Sequence, residues 1–299
     1  MAPEFTTSIT RLFPDADRPV LIAGPTGAGK STLALALARQ QGGVIINADA
    51  LQVYDGWRIL TARPTISDER AAPHRLYGHV PHDHDYSVGH WLRDIAGCLA
   101  DHAARPIVVG GTGLYFSALT EGLADIPAVA PHIRREADAR LEHDGLQGLL
   151  NDLDAATRTR IDTQNPARVR RAWEVQAATG TGLAAWQDDT PAPTLPLADC
   201  QTCLIAADRD WLNQRIEARF DAMLEAGALK EARAMQSDWD PDRLSSRAIG
   251  ARELIATLDG RMTLAEAATQ AKTLSRQYAK RQRTWFRARM SGWNRLVLP

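Results

Sequence analysis

Three cysteines among 299 residues are too few for a disulfide framework, so a reducing compartment is expected. No apolar run approaches the ~20 residues that a membrane span needs, and no membrane partner is expected. The first twenty residues hold no basic start followed by an apolar stretch, which argues against an export signal and makes the cytoplasm the expected location. Internal repeats and low-complexity tracts are also missing. Charge of one sign is scarce as well: Lys and Arg number 35 against 36 Asp and Glu, a formal net charge of -1. Such a balance ordinarily argues against a nucleic-acid partner, but local distribution decides. Beyond Glu266 no acidic residue occurs, while Lys272, Arg276, Lys280, Arg281, Arg283, Arg287, Arg289 and Arg295 follow. The neutral total therefore conceals one strongly basic end. A solvated helix face is the plain reading of that end; Trp285 and Phe286 among the charges add packing against a core.

What is present is ordinary for a globular chain, with 44% hydrophobic and 24% charged residues. "PVLIAG", "GGVIINAD", "RPIVVGGTG" and "CLIAA" read as short buried strands alternating with helical sequence. Short apolar strands of this kind form a parallel sheet covered on both faces. From Pro127 to about Leu183 the chain is helical and rich in Arg, Asp and Glu, ending in the proline-rich "TPAPTLPLAD". The expected architecture is α/β, a P-loop NTPase-like parallel sheet core (residues 1–126 plus 200–299) with an all-helical insertion (127–199). Thr263 and Glu266 form a capping-box signature opening the basic C-terminal helix.

"GPTGAGKS" comprises Gly24, Pro25, Thr26, Gly27, Ala28, Gly29, Lys30 and Ser31 and matches G-x-x-x-x-G-K-[ST]. Chance gives such a match in about one chain per hundred of this length, and here a strand precedes it and a helix follows. Glycines let the backbone close on an anion, and the helix N-terminus adds partial positive charge. Lys30 supplies a full charge, and Ser31 can reach Mg²⁺. The loop reads as a polyphosphate site without saying which polyphosphate. An ATP-hydrolysing site needs an acid at a neighbouring strand end, yet "PIVVGGTG" ends in glycines and Thr112. Asp49, in "NADALQVY", is the one acid at the end of an early core strand, where ligands bind in open parallel sheets. A metal ligand, a general base and a helix cap all remain open to it.

In order, "GPTGAGKS", "NADALQVYDGWRILTARP", "APHRLYGHV", "VVGGTGLYFSAL", "NPARVRRAWEV", "AIGARELI" and "YAKRQRTWFR" resemble the motifs of tRNA dimethylallyltransferases, from about Val20 to Arg287. The resemblance implies prenyl transfer from dimethylallyl diphosphate to the exocyclic amine of the adenosine 3′ of the anticodon, with Mg²⁺ as cofactor and tRNA as partner; a monomer is expected. It implies Asp49 as general base, Thr112 facing the adenosine, and Lys30 with the loop on the diphosphate. Arg215 and Arg219 either reach that diphosphate or pair with the neighbours of Glu217. The tRNA contacts it implies are Asp49, Ala50, Leu51, Gln52 and Thr112; Arg134, Gln164, Asn165, Pro166, Ala167 and Arg168 in the insertion; Arg247, Gly250 and Arg252; and Arg276, Gln277, Lys280, Arg281, Gln282 and Arg283 on the last helix. Arg171, three residues from Arg168, shares its side of that helix.

Three positions depart from the family pattern: Ala50 where serine is usual, Arg63 in "LTARP" where lysine is, and Ala251 where an aromatic is. His79, His82 and His84 in "GHVPHDHD" read as a polar loop ahead of a zinc site. Cys200 and Cys203 form one CxxC without a second ligand pair and read as buried thiols. Rival functions are a small-metabolite kinase, an RNA-binding NTPase and an adenylate isopentenyltransferase; the last two lack a use either for Asp49 or for the basic helix and the long insertion.

Overall fold

The computed structural model describes residues 9–100 and 104–298. Its chain forms two compact units, Met1–Thr120 with Leu195–Pro299, and Glu121–Thr194. The division falls several residues earlier at each crossing than the expected 127 and 199, because Glu121 ends a core helix and the chain leaves the core there.

The first unit is built on a parallel sheet: β1 (Val20–Ala23), β2 (Val44–Asn47), β3 (His74–Arg75), β4 (Pro106–Gly110), β5 (Gln201–Ala207) and β6 (Arg295–Leu298). Among the described residues the order is β3-β2-β4-β1-β5-β6, every neighbouring pair parallel. Val20, Leu21, Ile22 and Ala23 are all fully buried; a central strand covered on both faces needs such a continuous apolar run. On one face Leu33 and Leu37 of α1 (Lys30–Gln41) pack with Ile22, Ile45 and Ile107. On the other, Trp91 and Ile95 of α3 (Val88–Ala100) and Tyr115 and Phe116 of α4 (Gly113–Glu121) pack with Leu21, Ile46 and Val108. Between these, α2 (Ile66–Ala71) starts on a Thr65–Asp68 capping box.

The second unit comprises α5 (Pro131–Asp152), α6 (Ala155–Arg160), α7 (Pro166–Thr179) and α8 (Leu183–Asp188). Gly145 (φ 67°) breaks α5. Ala137, Leu149, Val169, Ala172 and Trp173 make its own core, and the Trp173 indole N–H donates to the Asp152 carboxylate at 2.9 Å. Asn165 caps α7 through the N–H groups of Ala167 and Arg168, with Pro166 next in line.

Returning to the first unit, the chain forms α9 (Arg209–Glu225), α10 (Ala228–Met235), α11 (Ala251–Leu258) and α12 (Leu264–Arg289). The Thr263–Glu266 capping box opens α12 with both reciprocal bonds made. Phe220, Ala232, Leu254 and Ala271 from these four helices share one apolar cluster with Trp57 and Leu60. Ala251, where an aromatic is usual, is fully buried in this cluster. Among the described residues no helix is long and apolar enough to cross a membrane.

Candidate active site

The loop after β1 turns on Gly27 (φ 80°) and Gly29 (φ 86°), left-handed conformations open to glycine at little cost. Gly29 caps α1 with no side-chain hydrogen bond. Among the described residues no side chain caps the first N–H groups of the helix, and Gly29, Lys30, Ser31 and Thr32 line the crevice at the strand ends. Lys30 and Ser31 line that crevice with Thr26, Asp49, Tyr77, Arg215 and Arg219. The Lys30 ammonium donates to the Pro25 carbonyl at 2.9 Å. Burial pushes its pKa down to about 8, Asp49 opposing and Arg219 adding to the fall. A cation so stripped of water gains most from an arriving anion.

Two arginines of α9 complete the wall. Arg219 donates to the Thr26 hydroxyl at 3.0 Å, and Arg215 to the Gly27 carbonyl at 3.1 Å. Arg215 also lies over the Trp211 ring, 4.8 Å from its centroid. Burial lowers the pKa of Arg219 while Asp49 raises it; the guanidinium stays charged regardless. Both arginines thus bond to the loop, and neither pairs with a neighbour of Glu217 among the described residues.

Asp49 follows β2. Its Oδ1 accepts the Leu51 N–H at 3.0 Å, closing a turn; no helix starts here for it to cap. No partner for Oδ2 occurs among the described residues, so one oxygen holds the turn while the other faces the crevice. Thr112 sits beside it: its hydroxyl accepts the Ala50 N–H at 2.9 Å, and its N–H donates to the Ala48 carbonyl at 3.1 Å. Beside Asp49 opens a second, more apolar chamber lined by Leu51, Leu60, Ile216, Phe220, Met223, Ile249 and Tyr278. Thr26, Asp49, Thr61 and Arg219 belong to both cavities. A polar anion crevice and an apolar chamber therefore meet at one carboxylate.

A magnesium ion suits the first cavity. Mg²⁺ binds through one or two protein oxygens and substrate phosphates while keeping its waters. The crevice offers the Ser31 hydroxyl and the Asp49 carboxylate, and no cluster of three His, Cys, Asp or Glu that would make an all-protein cage occurs among the described residues.

The remaining expected residues fall into distinct environments. Gln52 ties its own loop down, donating to the Thr61 and Ala62 carbonyls at 2.7 and 3.1 Å. Arg247 and Arg252 are exposed and Gly250 is buried (φ 96°). On α12, Gln277, Lys280 and Arg281 are exposed, whereas Arg276 pairs with Glu217. Gln282 is buried, its amide bonded inside the core to Thr26 and Gly111. In the second unit Arg134, Gln164, Ala167 and Arg168 are exposed, and Arg168 lies 4.0 Å from Asp162. Arg63 keeps its charge indoors, donating to the Tyr54 carbonyl at 2.6 Å.

Away from the crevice, His79 meets Asp94, His82 meets Asp55 and Asp238, and His84 meets Asp83. Cys200 and Cys203 are buried free thiols, both pushed up to about 12 by burial. Sequence reasoning missed Tyr77, Tyr278 and the apolar lining. The lining was available as a pattern: Ile216, Phe220 and Met223 recur at helical spacing on the face of α9 that also carries Arg219.

The strand order and the loop at the tip of β1 define an α/β protein of the phosphate-loop type. The comparisons specify it further. A family model described as IPP transferase matches residues 52–289, and one described as isopentenyl transferase matches residues 18–78. The chain belongs to the IPP transferase family. It is 61% identical over 283 residues to a tRNA dimethylallyltransferase of Cereibacter sphaeroides, covering 95% of this chain and 97% of the relative. A Ruegeria tRNA dimethylallyltransferase is 59% identical, with 94% and 96% covered. Among solved structures, a eukaryotic dimethylallyltransferase acting on tRNA superposes with a TM-score of 0.78 at 27% identity, covering 93% of this chain and 73% of that one. The tRNA isopentenylpyrophosphate transferase of Bacillus halodurans gives 0.65 at 33% identity, with 94% and 90% covered.

Proposed function

We propose that this protein transfers a dimethylallyl group from dimethylallyl diphosphate to the exocyclic N6 amine of the adenosine 3′-adjacent to the anticodon in tRNA, releasing diphosphate. The observation that carries the reading is the junction of an anion crevice with an apolar chamber at Asp49. A phosphoryl donor needs only the crevice; a prenyl diphosphate needs both.

In this reading the diphosphate lies against the N-terminus of α1, Lys30, Arg215 and Arg219, and the five-carbon tail enters the chamber between Leu60, Phe220 and Met223. The adenine amine forms the new bond to C1 as the bond from C1 to the diphosphate oxygen breaks. Asp49 takes the proton that the amine sheds. Lys30 and the loop N–H groups stabilise charge growing on the leaving oxygen, where it counts toward the transition state. The Ser31 hydroxyl would hold Mg²⁺, which would supply further charge neutralisation on the diphosphate. Reaching an amine inside an anticodon loop requires the base to leave its stack. The exposed Lys280 and Arg281 of α12, with Arg134 and Arg168 of the helical unit, supply phosphate-binding charge for that substrate. A cytoplasmic location follows from such a substrate.

The test is direct. Purified protein, unmodified tRNA, Mg²⁺ and dimethylallyl diphosphate should yield N6-dimethylallyl adenosine on nucleoside mass spectrometry, with no ATP added. Dependence on ATP, or release of ADP in step with product, would overturn the reading; efficient prenylation of free AMP would favour an adenylate enzyme.

A further inference from the structure

Transfer demands that two segments of chain keep one separation. The loop at residues 24–31 holds the donor, and the turn at Gly111–Thr112 faces the acceptor in the function proposed above, on which this inference rests. Their parent strands β1 and β4 pair only as far as Ala23 and Gly110. Past that register no ladder hydrogen bond joins the loop to the turn among the described residues.

Gln282 spans the gap. Its Oε1 accepts the Thr26 N–H at 2.8 Å, and its Nε2 donates to the Gly111 carbonyl at 2.9 Å. The side chain is only 6% exposed. The approach is close enough that a Cβ at Gly111 would collide with the amide, and one at Gly113 with the Trp285 ring. Two glycines of "GGTG" thus serve the docking of α12. The exposed Arg281 and Lys280 lie one and two residues away on the same helix.

We propose that Gln282 is a positioning residue that fixes the distance between the phosphate loop and the Thr112 turn. A primary amide suits the task because it presents an acceptor and a donor at one planar end. A side chain offering only one of them leaves a buried N–H or C=O unpaired. A misplacement of ~1 Å between reacting groups costs about 10² in rate. The side chain acts on the chemical step through the two backbones it holds and touches neither substrate.

Gln282→Ala should lower kcat by about 10² while the affinities for inorganic pyrophosphate and for tRNA, measured separately, change only a fewfold. Gln282→Glu adds a signature that a packing role would not. Ionised, the carboxylate accepts from Thr26 but opposes the Gly111 carbonyl; protonated, it offers one donor and one acceptor as the amide does. Its kcat relative to wild type should therefore recover as pH is lowered through the raised pKa of a buried carboxyl, and the Ala variant should show no such recovery. Turnover of Gln282→Ala within a fewfold of wild type would overturn the proposal. So would a loss of kcat matched by equal losses in both affinities, or by a collapse in Tm. A wild-type protein inactive on tRNA and the prenyl donor would overturn this and the functional reading together.

Discussion

Asn47 and Asp49 exchange two hydrogen bonds two residues apart. The Asn47 Oδ1 accepts the Asp49 N–H, and its Nδ2 donates to the Asp49 carbonyl, each at 2.9 Å. Nδ2 also donates to the Leu76 carbonyl at 3.0 Å, and the Asn47 carbonyl accepts the Trp91 indole N–H at 2.7 Å. Asn47 is fully buried, so the backbone that carries the carboxylate is held from inside the core. Asp49→Asn should leave tRNA binding nearly intact and lower turnover by roughly 10²–10⁴, the usual yield of a general base. Single-turnover kinetics beside tRNA binding separates the two; turnover within a fewfold of wild type would remove Asp49 from that role.

Lys30 ties two pH dependences of opposite sign to one group. Its pKa in the folded chain is about 8 against 10.5 for an ordinary lysine. Between those values the unfolded chain binds more protons, so this group makes stability rise with pH, its buried charge being a cost felt fully below about 8. Pyrophosphate needs that same charge, and its affinity should fall as pH passes about 8. Lys30→Met should flatten both curves, read by Tm and by competitive inhibition. Parallel curves for wild type and variant would show that Lys30 titrates elsewhere.

His82 behaves in the reverse sense. Its bonds to Asp238 at 2.6 Å and Asp55 at 3.3 Å hold the ring's pKa above the usual histidine value, against some desolvation. The stabilisation is fully present below about 6.5 and is lost as pH rises through the raised value. His82→Ala should abolish the part of the Tm decline that falls in this window. An unchanged Tm profile would mean the ring contributes nothing there.

Lys280 and Arg281 are exposed neighbours on α12. Neutralising both should weaken tRNA binding and make the slope of log K against log salt shallower by up to about two units, leaving pyrophosphate affinity nearly unchanged. An unaltered slope would reduce this stretch to a solvated face.

The apolar chamber predicts a selective defect. Met223→Trp should fill space beside Leu60 and Phe220 and raise KM for the prenyl donor about tenfold or more, the loss of 1.4 kcal/mol of binding. Inhibition by pyrophosphate, which enters only the crevice, should persist. Equal losses for both ligands would show that the two cavities do not divide the donor between them.

The four buried strands, the phosphate loop and the carboxylate after β2 were legible because each is a local pattern: a continuous apolar run, a glycine spacing, an acid at a strand end. β3 and β6 were not. The first is two residues long, and the second, Arg295–Leu298, alternates exposed and half-buried positions at a sheet edge. Neither carries the apolar run that marks a central strand. Gln282 read as one more polar residue in a basic helix, since its partners lie 256 and 171 residues away. The His–Asp pairs show the converse: three histidines close in sequence point to three different neighbourhoods, one of them reaching Asp238. Spacing reports what one segment can do; it carries no record of what other segments bring to it.

The parallel pairing of β1 with β5 has a consequence for biosynthesis. Val20 takes its place opposite Gln201, so on the ribosome one of the two innermost strands of the sheet emerges long before one of its two neighbours exists. With about 180 residues between them and synthesis at ~5–20 residues per second, its edge stands open for roughly ten to thirty seconds. The helical unit is made in that interval and has a core of its own in which to fold. The nascent chain thus passes through a stage with one finished module and one incomplete sheet, and that open edge is where a chaperone would be needed most.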